Sequence, residues 1–409
     1  MKKISPARKK KTPARTTAPK RIATGGKKVL KKTAAKPRKI RAVRARGKQK
    51  VHALAHSALH HSVSRHFIRH ENNPIIEPRE GNSWESKATF NPGVIFLDGS
   101  AHILYRAIGD NDMSVLGYAR SSDGFTIDER SDEPVFVPRH KADARDGGAA
   151  SGAPLLYNSG GGWNGGVEDP RITRIGNRIY MTYTAFDGWG SLRMAMTSIS
   201  VEDFAKKKWK WKKPAIISPE GEIHKNWGLF PEKINGKFAI LTGIAPEIFV
   251  SYIDDIDNIN GVIKSDRPQG PQPGRKGHWD NIIRGAGSPP IKLKDGWLLF
   301  YHAMDKNDPN RYKLGAMLLD LNDPTKVLYR SSRPLLQPDE YYENHGFKGG
   351  VIYSCGAGII NDQLFVYYGG ADTVVCVATA NLEKFLKELK ETGAPSLQAV
   401  SLKKSNARR

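Results

Sequence analysis

Residues 171–183 read RITRIGNRIYMTY, two short β-rich runs on either side of a Gly-Asn pair. Glycine and asparagine accept the positive φ that tight hairpin connections need, and β-branched and aromatic residues favour strands. The stretch therefore predicts a β-hairpin.

The same arrangement occurs four more times, at intervals of about 60 to 80 residues, the scale of a repeat architecture. A third strand candidate follows each hairpin, and no helical crossover separates the copies. This repetition predicts a five-bladed β-propeller; the alternative, a β-sandwich, usually has more closely spaced strands. The turn-containing runs are Asp98–Arg106, Gly176–Tyr183, Asn235–Thr242, Lys294–His302 and Asn361–Tyr368.

One strong helical pattern stands outside the repeats, over residues 381–392. We expect this C-terminal helix to pack on the outside of the propeller near its closure. The predicted fold is thus all-β, with the propeller and its C-terminal helix over residues 73–409. The apolar residues on one face of the predicted helix are Leu382, Phe385, Leu386 and Leu389.

The charge of the chain is concentrated at its N-terminus. Residues 1–50 hold 21 Lys and Arg and no Asp or Glu, in a chain of 409 residues with a net charge of +24. Such a segment buries too little apolar surface to offset chain entropy, so this basic tail is predicted to be disordered. It could bind a polyanion such as RNA, DNA or an anionic membrane by charge alone, or be a solvated arm without a specific partner.

Residues 51–72 are predicted to form a linker with helical spacing. His52, His56 and His60 would align on one helical face, but no neighbouring cluster of ligands supports a metal site. A polar linker helix is therefore favoured, and we predict no metal and no organic cofactor.

Two features of the sequence bear on the compartment. No run approaches the roughly 18 apolar residues of a membrane span, and Met1-Lys2-Lys3 is not followed by the apolar segment of a secretory signal. Cys355 and Cys376 are too few for a disulfide framework and suit a reducing environment. We predict a cytoplasmic protein and leave open whether it is a homo-oligomer.

The candidate catalytic motif is Glu-Asp-Pro-Arg at residues 168–171, at the start of the stretch quoted above. Pro170 fixes its own φ and is expected to hold Asp169 in an extended conformation. Two acids on a stiff turn beside a cation suit acid catalysis. The alternative is a surface turn whose charges pair with each other.

Several short motifs in a fixed order give a more specific indication. Together they resemble the family 130 glycoside hydrolases, which comprise β-mannoside phosphorylases and related β-mannosidases, over roughly residues 75–380. The motifs are Asn91-Pro92, Glu168-Asp169-Pro170-Arg171, Phe230-Pro231-Glu232-Lys233, Gly287-Ser288-Pro289-Pro290, Trp297–His302, and Arg333-Pro334-Leu335-Leu336 with Tyr342-Glu343.

The resemblance implies a five-bladed propeller that cleaves β-mannosidic bonds with inversion. In the phosphorylases, inorganic phosphate is the co-substrate and nucleophile, and a β-mannoside oligosaccharide yields α-mannose 1-phosphate. Asp169 matches the family's acid, which passes its proton through a sugar hydroxyl. Because phosphate is already an anion, a second carboxylate is not required. The alternatives are an inverting β-mannosidase, which needs a carboxylate base, or a non-catalytic propeller that binds carbohydrate or nucleic acid.

An anionic nucleophile needs cations, best supplied by Arg with Lys or His as a further charge. Predicted phosphate-binding residues are Arg193, Lys233, Tyr301 and His302. Predicted substrate-binding residues are Asn91, Arg106, Glu168, Arg171, Asp187, Trp227, Glu232, Tyr342 and Glu343.

The acceptor-sugar subsite is where the sequence departs from the family pattern. Ala303 follows the Tyr-His pair where Gly is common, Asn226 replaces a more usual Asp, and residues 159–166 are rich in glycine. Three tryptophans are candidate stacking faces for sugars, with a core role as the alternative for each. They are Trp163, Trp189 and Trp227.

Overall fold

The computed structural model describes residues 67–138, 164–188, 191–243, 247–259, 261–263, 269–271 and 273–393. Within these ranges the chain forms mainly strands with three short helices, which confirms the all-β class. No helix among them is long and apolar enough to cross a bilayer. The basic tail, the His52, His56 and His60 series, and Trp163 and Trp189 lie outside the described residues.

All five predicted hairpins form, and each is the centre of one antiparallel group of strands, called a unit below. Units one and two meet where Ser114 and Gly166 make a parallel bridge. A Cβ on Gly166 would lie 2.1 Å from the Ser114 carbonyl oxygen, so this junction requires glycine. The strands of unit one are β2 (Ala88–Leu97), β3 (Ser100–Ile108), β4 (Ser114–Ser121) and β5 (Glu129–Arg130); those of unit two are β6 (Gly166–Ile175), β7 (Arg178–Phe186), β8 (Leu192–Ser200) and β9 (Ala215–Ile216), with helix α1 (Val201–Ala205) after β8.

Units three and four are separate sheets. In unit three the hairpin turn carries Gly236 at positive φ, as the sequence predicted, and in unit four Gly296, also at positive φ, follows the turn as the first residue of the next strand. Unit three consists of β10 (Gly228–Ile234), β11 (Lys237–Thr242) and β12 (Phe249–Ile253); unit four consists of β13 (Ile282–Ala286), β14 (Ile291–Leu293), β15 (Gly296–Asp305), β16 (Asp308–Leu319) and β17 (Val327–Arg330).

Unit five combines the last strands of the chain with its first described strand. Helix α2 (Tyr341–Asn344) precedes this unit along the chain. The strands of the unit are β18 (Ile352–Ile360), β19 (Gln363–Gly370), β20 (Val374–Asn381) and β1 (Ile68–Arg69). Strand β1 pairs antiparallel with β20, and Phe67 packs edge-on against Phe385 at 5.2 Å. Residues 67–72, assigned above to the linker, are therefore part of the folded body.

The predicted C-terminal helix is present as α3 (Leu382–Thr392). The Asn381 side chain caps it by accepting from the Lys384 N–H, and Phe385 and Leu389 are buried. It contacts β17 of unit four and β20 of unit five, so it covers the junction between those two units.

A β-bulge interrupts the first strand of every unit. The register against the second strand shifts between Phe90 and Gly93 in β2, and between Glu168 and Arg171 in β6. Equivalent shifts occur in β10, β13 and β18. Bulges break the ladder and redirect side chains, and those of β2 and β6 bring Asn91 and Asp169 together. Asp169 lies in such a bulge with φ of 52°, so the predicted extended conformation is wrong at this residue.

Units one and four each contain a buried cluster of side chains around a tyrosine. In unit one, Tyr105 donates to Glu85 at 2.8 Å, Arg130 donates to both, and Trp84 stacks on the tyrosine ring. Arg79 also donates to Glu85 and to the Ser131 carbonyl. With Asn82, which also donates to Glu85 at 3.0 Å, the buried carboxylate has four side-chain partners.

The cluster of unit four has the same parts. Tyr301 donates to Asp280 at 2.7 Å, Arg330 contacts both, and Trp279 stacks on the tyrosine ring. Arg275 takes the place of Arg79, donating to Asp280 and to the Ser331 carbonyl. The two units therefore hold their second strand, β3 or β15, by the same device.

Candidate active site

The centre of the site is a buried ion cluster between units one and two. Arg106 donates to Glu168 at 2.9 Å and to Asp169 at 3.3 Å, and all three side chains are at most 4 % exposed. Asn91 donates to Asp169 at 2.8 Å through Nδ2. Buried charges are tolerated when they are paired and hydrogen-bonded, and this cluster meets both conditions.

Glu168 has both carboxylate oxygens engaged. Oε1 accepts from Arg106, and Oε2 accepts from the Lys225 ammonium at 2.9 Å. Arg106 is fixed in turn by Ser114, which accepts from its Nε at 3.0 Å, and by the face of Phe90. Glu168 is therefore placed to hold cations, and both of its oxygens are occupied.

A second guanidinium, that of Arg171, joins unit two to units three and four. It donates to the Gly287 and Ala286 carbonyls at 2.7 and 3.1 Å and to Asn226 Oδ1 at 3.0 Å. It also reaches the Asp169 carbonyl at 3.1 Å, which helps to hold the bulge. This network fixes the backbone on which the acid lies.

Asn226 connects unit three to units four and five. Its Nδ2 donates to the Arg284 carbonyl at 3.0 Å, and the Tyr353 hydroxyl donates to its Oδ1. A Cβ on Gly285 would lie 2.2 Å from Asn226 Nδ2, so glycine is needed at that bulge. The cluster thus draws residues from all five units.

His302 lies on the unit-four side of the cluster. It is fully buried, stacks on Tyr353 at 4.1 Å, and its Nε2 accepts the Ser354 N–H at 2.9 Å. Burial and the charge of Arg171 lower the pKa of His302 to about 3. Because Nε2 is an acceptor, the neutral ring carries its proton on Nδ1, which has no partner among the described residues.

Two carboxylates near the centre have opposite pKa shifts. Burial disfavours ionisation of Asp169, but the charges of Arg106 and Lys225 outweigh it, so the pKa of Asp169 is lowered from its usual value. Burial raises the pKa of Asp372 to about 6, although Lys348 counteracts the shift. Pairs of carboxylates with divided pKa values are typical of acid–base sites.

The structure brings together six of the predicted site residues: Asn91, Arg106, Glu168, Asp169, Arg171 and His302. Asp187 and Arg193 lie at the same end of unit two as Glu168, because β7 ends there and β8 begins there. Arg193 donates to the Ser218 carbonyl at 2.6 Å, and Asp187 accepts from the Ser191 N–H at 3.1 Å. The phosphate role of Arg193 stays a prediction.

Other predicted residues lie elsewhere. Tyr301 is in the structural cluster of unit four, on the opposite face of β15 from His302, because successive strand residues alternate. Trp227 is 1 % exposed and packs among buried residues of the core, and its role in substrate binding stays a prediction. Glu232 is 53 % exposed and pairs with Lys292, and Lys233 is exposed with its ammonium over a phenylalanine ring.

Glu343 and Tyr342 serve the fold rather than the centre. Glu343 accepts from Arg69 Nε at 2.7 Å, from the Tyr368 hydroxyl at 2.9 Å and from two backbone N–H groups in front of α2. Tyr342 packs partly buried against the core of units four and five. The carboxylate thus ties β1 to unit five, which explains its burial without a substrate.

Four residues at the centre were not among the predicted site residues: Lys225, Asn226, Tyr353 and Asp372. Asp372 carried a signal, because residues 370–373 read Gly-Ala-Asp-Thr at the end of a predicted strand, where a turn can present a polar side chain. Tyr353 carried none, since a tyrosine in a β-run is ordinarily a core residue.

Residues 66–391 match the model of glycoside hydrolase family 130, described as β-1,4-mannooligosaccharide phosphorylase. The match covers well over half of the chain, and the resemblance inferred from the motifs is confirmed. The chain belongs to glycoside hydrolase family 130.

Two similar proteins come from Thermoanaerobacter sp. (strain X514). A 1,2-β-oligomannan phosphorylase is 36 % identical over 76 % of this chain and 95 % of its own length. A β-1,2-mannobiose phosphorylase is 37 % identical over 78 % of this chain and 98 % of its own length. Among solved structures, the β-1,2-mannobiose phosphorylase from Listeria innocua, in complex with β-1,2-mannobiose, aligns with a TM-score of 0.61 at 25 % identity, covering 80 % of this chain and 99 % of that one.

Proposed function

We propose that the protein is an inverting β-mannoside phosphorylase that transfers a mannosyl unit to inorganic phosphate and releases α-mannose 1-phosphate. The observation that carries this proposal is a buried acid, Asp169, set among Arg106, Lys225 and the neutral N–H of His302. Such a set suits an anionic nucleophile more than water. The linkage we expect is β-1,2, since the two relatives above carry β-1,2 names.

In the proposed reaction, a phosphate oxygen bonds to the anomeric carbon while the glycosidic C–O bond breaks on the opposite face. The leaving oxygen receives a proton from Asp169, relayed by a hydroxyl of the mannosyl unit. Asn91 Oδ1, a buried acceptor with no hydrogen-bond donor of its own in the described structure, would orient a sugar hydroxyl beside that carboxylate.

Asp169 must carry a proton to act as the acid, yet the surrounding cations lower its pKa. An anion bound beside Arg106 and Lys225 would offset their charges and raise the pKa of Asp169 again. Phosphate binding would therefore convert Asp169 from a carboxylate into a proton donor, so that the acid forms only when the nucleophile is present.

Hydrolysis is the competing reaction, and it needs a carboxylate to take a proton from water. Glu168 is a poor base because Arg106 and Lys225 occupy both of its oxygens. Asp372, whose pKa is raised to about 6, would be the base if the protein were a hydrolase. Asp372→Asn would then abolish mannose release, whereas a phosphorylase would keep the chemical step.

The test is to incubate the protein with β-1,2-mannobiose and β-1,4-mannobiose, each with and without phosphate, and to quantify mannose and mannose 1-phosphate. We expect mannose 1-phosphate only with phosphate, and faster from the β-1,2 disaccharide. Asp169→Asn should lower turnover by about two to four powers of ten, the scale of losing a general acid. Equal mannose release in both tubes would instead identify a hydrolase.

We further infer that the units are the blades of a five-bladed propeller. The support is that first strands of neighbouring units contact one another, β2 with β6 and β18, and β6 with β10. All five units also contribute to one polar centre, as expected at the axis of a propeller.

We propose a cytoplasmic location as well, because Cys355 and Cys376 are buried free thiols. Phosphate as the only co-substrate, without metal or cofactor, is part of the same proposal.

A further inference from the structure

The cations of the hydrogen-bonded cluster are neutralised to different extents. Arg106 and Lys225 form ion pairs with the two carboxylates, Glu168 and Asp169. Arg171 is 1 % exposed, and its four hydrogen bonds in the described structure all end on neutral oxygens, three backbone carbonyls and one side-chain amide. Three cations therefore face two carboxylates, and the positive charge of Arg171 is left over. A buried charge without an ion-pair partner is costly, so it needs an explanation.

The side-chain amide that holds Arg171 belongs to Asn226, which is 5 % exposed. Its Oδ1 accepts from Arg171 at 3.0 Å and from the Tyr353 hydroxyl, and its Nδ2 donates to the Arg284 carbonyl at 3.0 Å. An amide supplies an acceptor and a donor at once, whereas an ionised carboxylate only accepts. A carboxylate at this position would neutralise Arg171 and turn an oxygen towards the Arg284 carbonyl. The neutral side chain thus keeps the guanidinium in place without cancelling its charge.

The charge of Arg171 acts on the reacting groups of the centre. Burial first, and then this charge, lower the pKa of His302 to about 3. The same guanidinium is one of the cations that lower the pKa of Asp169 against the effect of burial. Tyr353 links the two sides, because its hydroxyl donates to Asn226 and its ring stacks on His302 at 4.1 Å. A change of charge at position 226 would therefore alter the potential throughout the centre.

We propose that Asn226 is a positioning residue that sets the affinity for phosphate: by holding Arg171 through a neutral amide, it leaves one positive charge at the centre for the anionic nucleophile. The inference rests on the proposed function and adds to it a residue that favours the anion without affecting the neutral disaccharide. It also separates two roles of Arg171. Its hydrogen bonds fix the backbone around the acid, and its charge attracts phosphate.

The test is Asn226→Asp, which replaces one amide NH₂ by oxygen and keeps the shape of the side chain. Asn226 has φ of 67°, a conformation that Asp also tolerates. We expect KM for phosphate to rise about tenfold, equal to ~1.4 kcal/mol of binding. We expect KM for β-1,2-mannobiose at saturating phosphate to change by less than about threefold. The matched control is Asn361→Asp, which adds the same charge at an exposed turn residue with φ of 48°.

Two further comparisons separate charge from structure. Asn226→Ala removes the hydrogen bonds without adding a charge, so it should lower kcat and the free energy of unfolding but change KM for phosphate by less than about threefold. Arg171→Gln and Arg171→Lys test the same charge from its other side. Only Arg171→Gln, which removes the charge, should raise KM for phosphate about tenfold.

An unchanged KM for phosphate in Asn226→Asp would overturn the inference. An equal rise in Asn226→Ala, or an equal rise in KM for the disaccharide, would do the same, because the role of Asn226 would then be structural. If Asn226→Asp does not fold, equal KM values for phosphate in the two Arg171 variants contradict the inference instead. Absence of phosphate-dependent product from the unaltered protein would contradict the proposed function itself, so the two failures are distinguishable.

Discussion

In unit one, Glu85 and Arg130 hold Tyr105, and the next residue, Arg106, reaches the reaction centre. In unit four, an equivalent pair holds Tyr301, and the next residue is His302. The supporting clusters match part for part, down to a stacked tryptophan and an arginine that donates to the backbone. The groups they present differ in charge.

This comparison shows that the same tyrosine cluster can position side chains of different chemistry on the opposite face of a strand. Tyrosine on one face of the strand is clamped, so its neighbour on the other face is aimed with little freedom. Arg106 keeps its charge at every relevant pH and balances two carboxylates, whereas burial keeps His302 neutral. The predictions below test two points: that the clusters around Tyr105 and Tyr301 are equivalent, and that Arg106 and His302 are not.

The largest effect should follow from moving the unit-four residue into unit one. Arg106→His would leave Asp169 without its ion-pair partner and Glu168 with Lys225 alone, so kcat/KM should fall by about 10²–10³-fold, the scale for a lost preorganised partner. Steady-state kinetics with saturating phosphate measures it. Arg106→Lys keeps the positive charge but loses the two-pronged guanidinium, so its kcat/KM should lie between those of Arg106→His and the unaltered protein. Full activity of Arg106→His would show that the presented groups are interchangeable.

The next effect concerns the glycines that face the two tyrosines. A Cβ at Gly117 would lie 2.3 Å from the Tyr105 ring, and one at Gly315 would lie 2.5 Å from the Tyr301 ring. Gly117→Ala and Gly315→Ala should each lower the free energy of unfolding by about 3 kcal/mol, as overpacking does. Chemical denaturation measures both. Gly81→Ala is the control, since nothing lies within 4 Å there; a neutral Gly315→Ala would separate the two clamps.

A smaller effect should come from removing each tyrosine hydroxyl. Tyr105→Phe and Tyr301→Phe leave Glu85 or Asp280 one partner short, which costs about 2 kcal/mol of stability each. We expect kcat/KM to change by less than about threefold in both, because neither hydroxyl faces the centre. If Tyr301→Phe alone raised KM for phosphate strongly, Tyr301 would be a phosphate ligand, as the sequence first suggested.

The smallest effect in free energy is expected at His302, and it has a pH signature. Its pKa is about 3 in the folded protein, below its usual value of 6.5, so the unfolded chain takes up a proton that the folded chain refuses. Stability should therefore decline as pH falls from 6.5 towards 3. His302→Gln should flatten that decline and lower kcat/KM about tenfold, ~1.4 kcal/mol. An unchanged slope would mean that His302 takes up a proton in the folded protein as readily as in the unfolded chain.

The hairpins and the acid motif were readable from sequence because their signals are local. Gly or Asn at the turns and alternating apolar residues gave the five units, and the Glu-Asp-Pro-Arg motif gave Glu168, Asp169 and Arg171. Tyr301 and His302 are successive strand residues, so strand alternation already indicates that the two side chains do not face the same site. Glu232 lies within the bulge of unit three and Lys233 at its end, yet both side chains are exposed, and no local pattern in the sequence specifies that exposure.

The other errors depend on distant parts of the chain. Glu343 reads as a site residue until its partner Arg69 is found, 274 positions earlier. Asp372 and Tyr353 meet the Asp169 cluster only because unit five folds against unit one, which no local pattern specifies. The sequence shows which interactions each side chain can make. The tertiary fold decides which partner each side chain has, and therefore whether it remains available for a substrate.

The short strand β1 has a practical consequence for anyone trimming this chain. Phe67, Ile68 and Arg69 supply an aromatic contact, a strand pairing and a buried ion pair to the last unit. A truncation placed at residue 73, where the composition changes, would leave Glu343 buried without its cation and expose the edge of β20. Expression variants intended to remove the lysine-rich arm should therefore start upstream of Phe67.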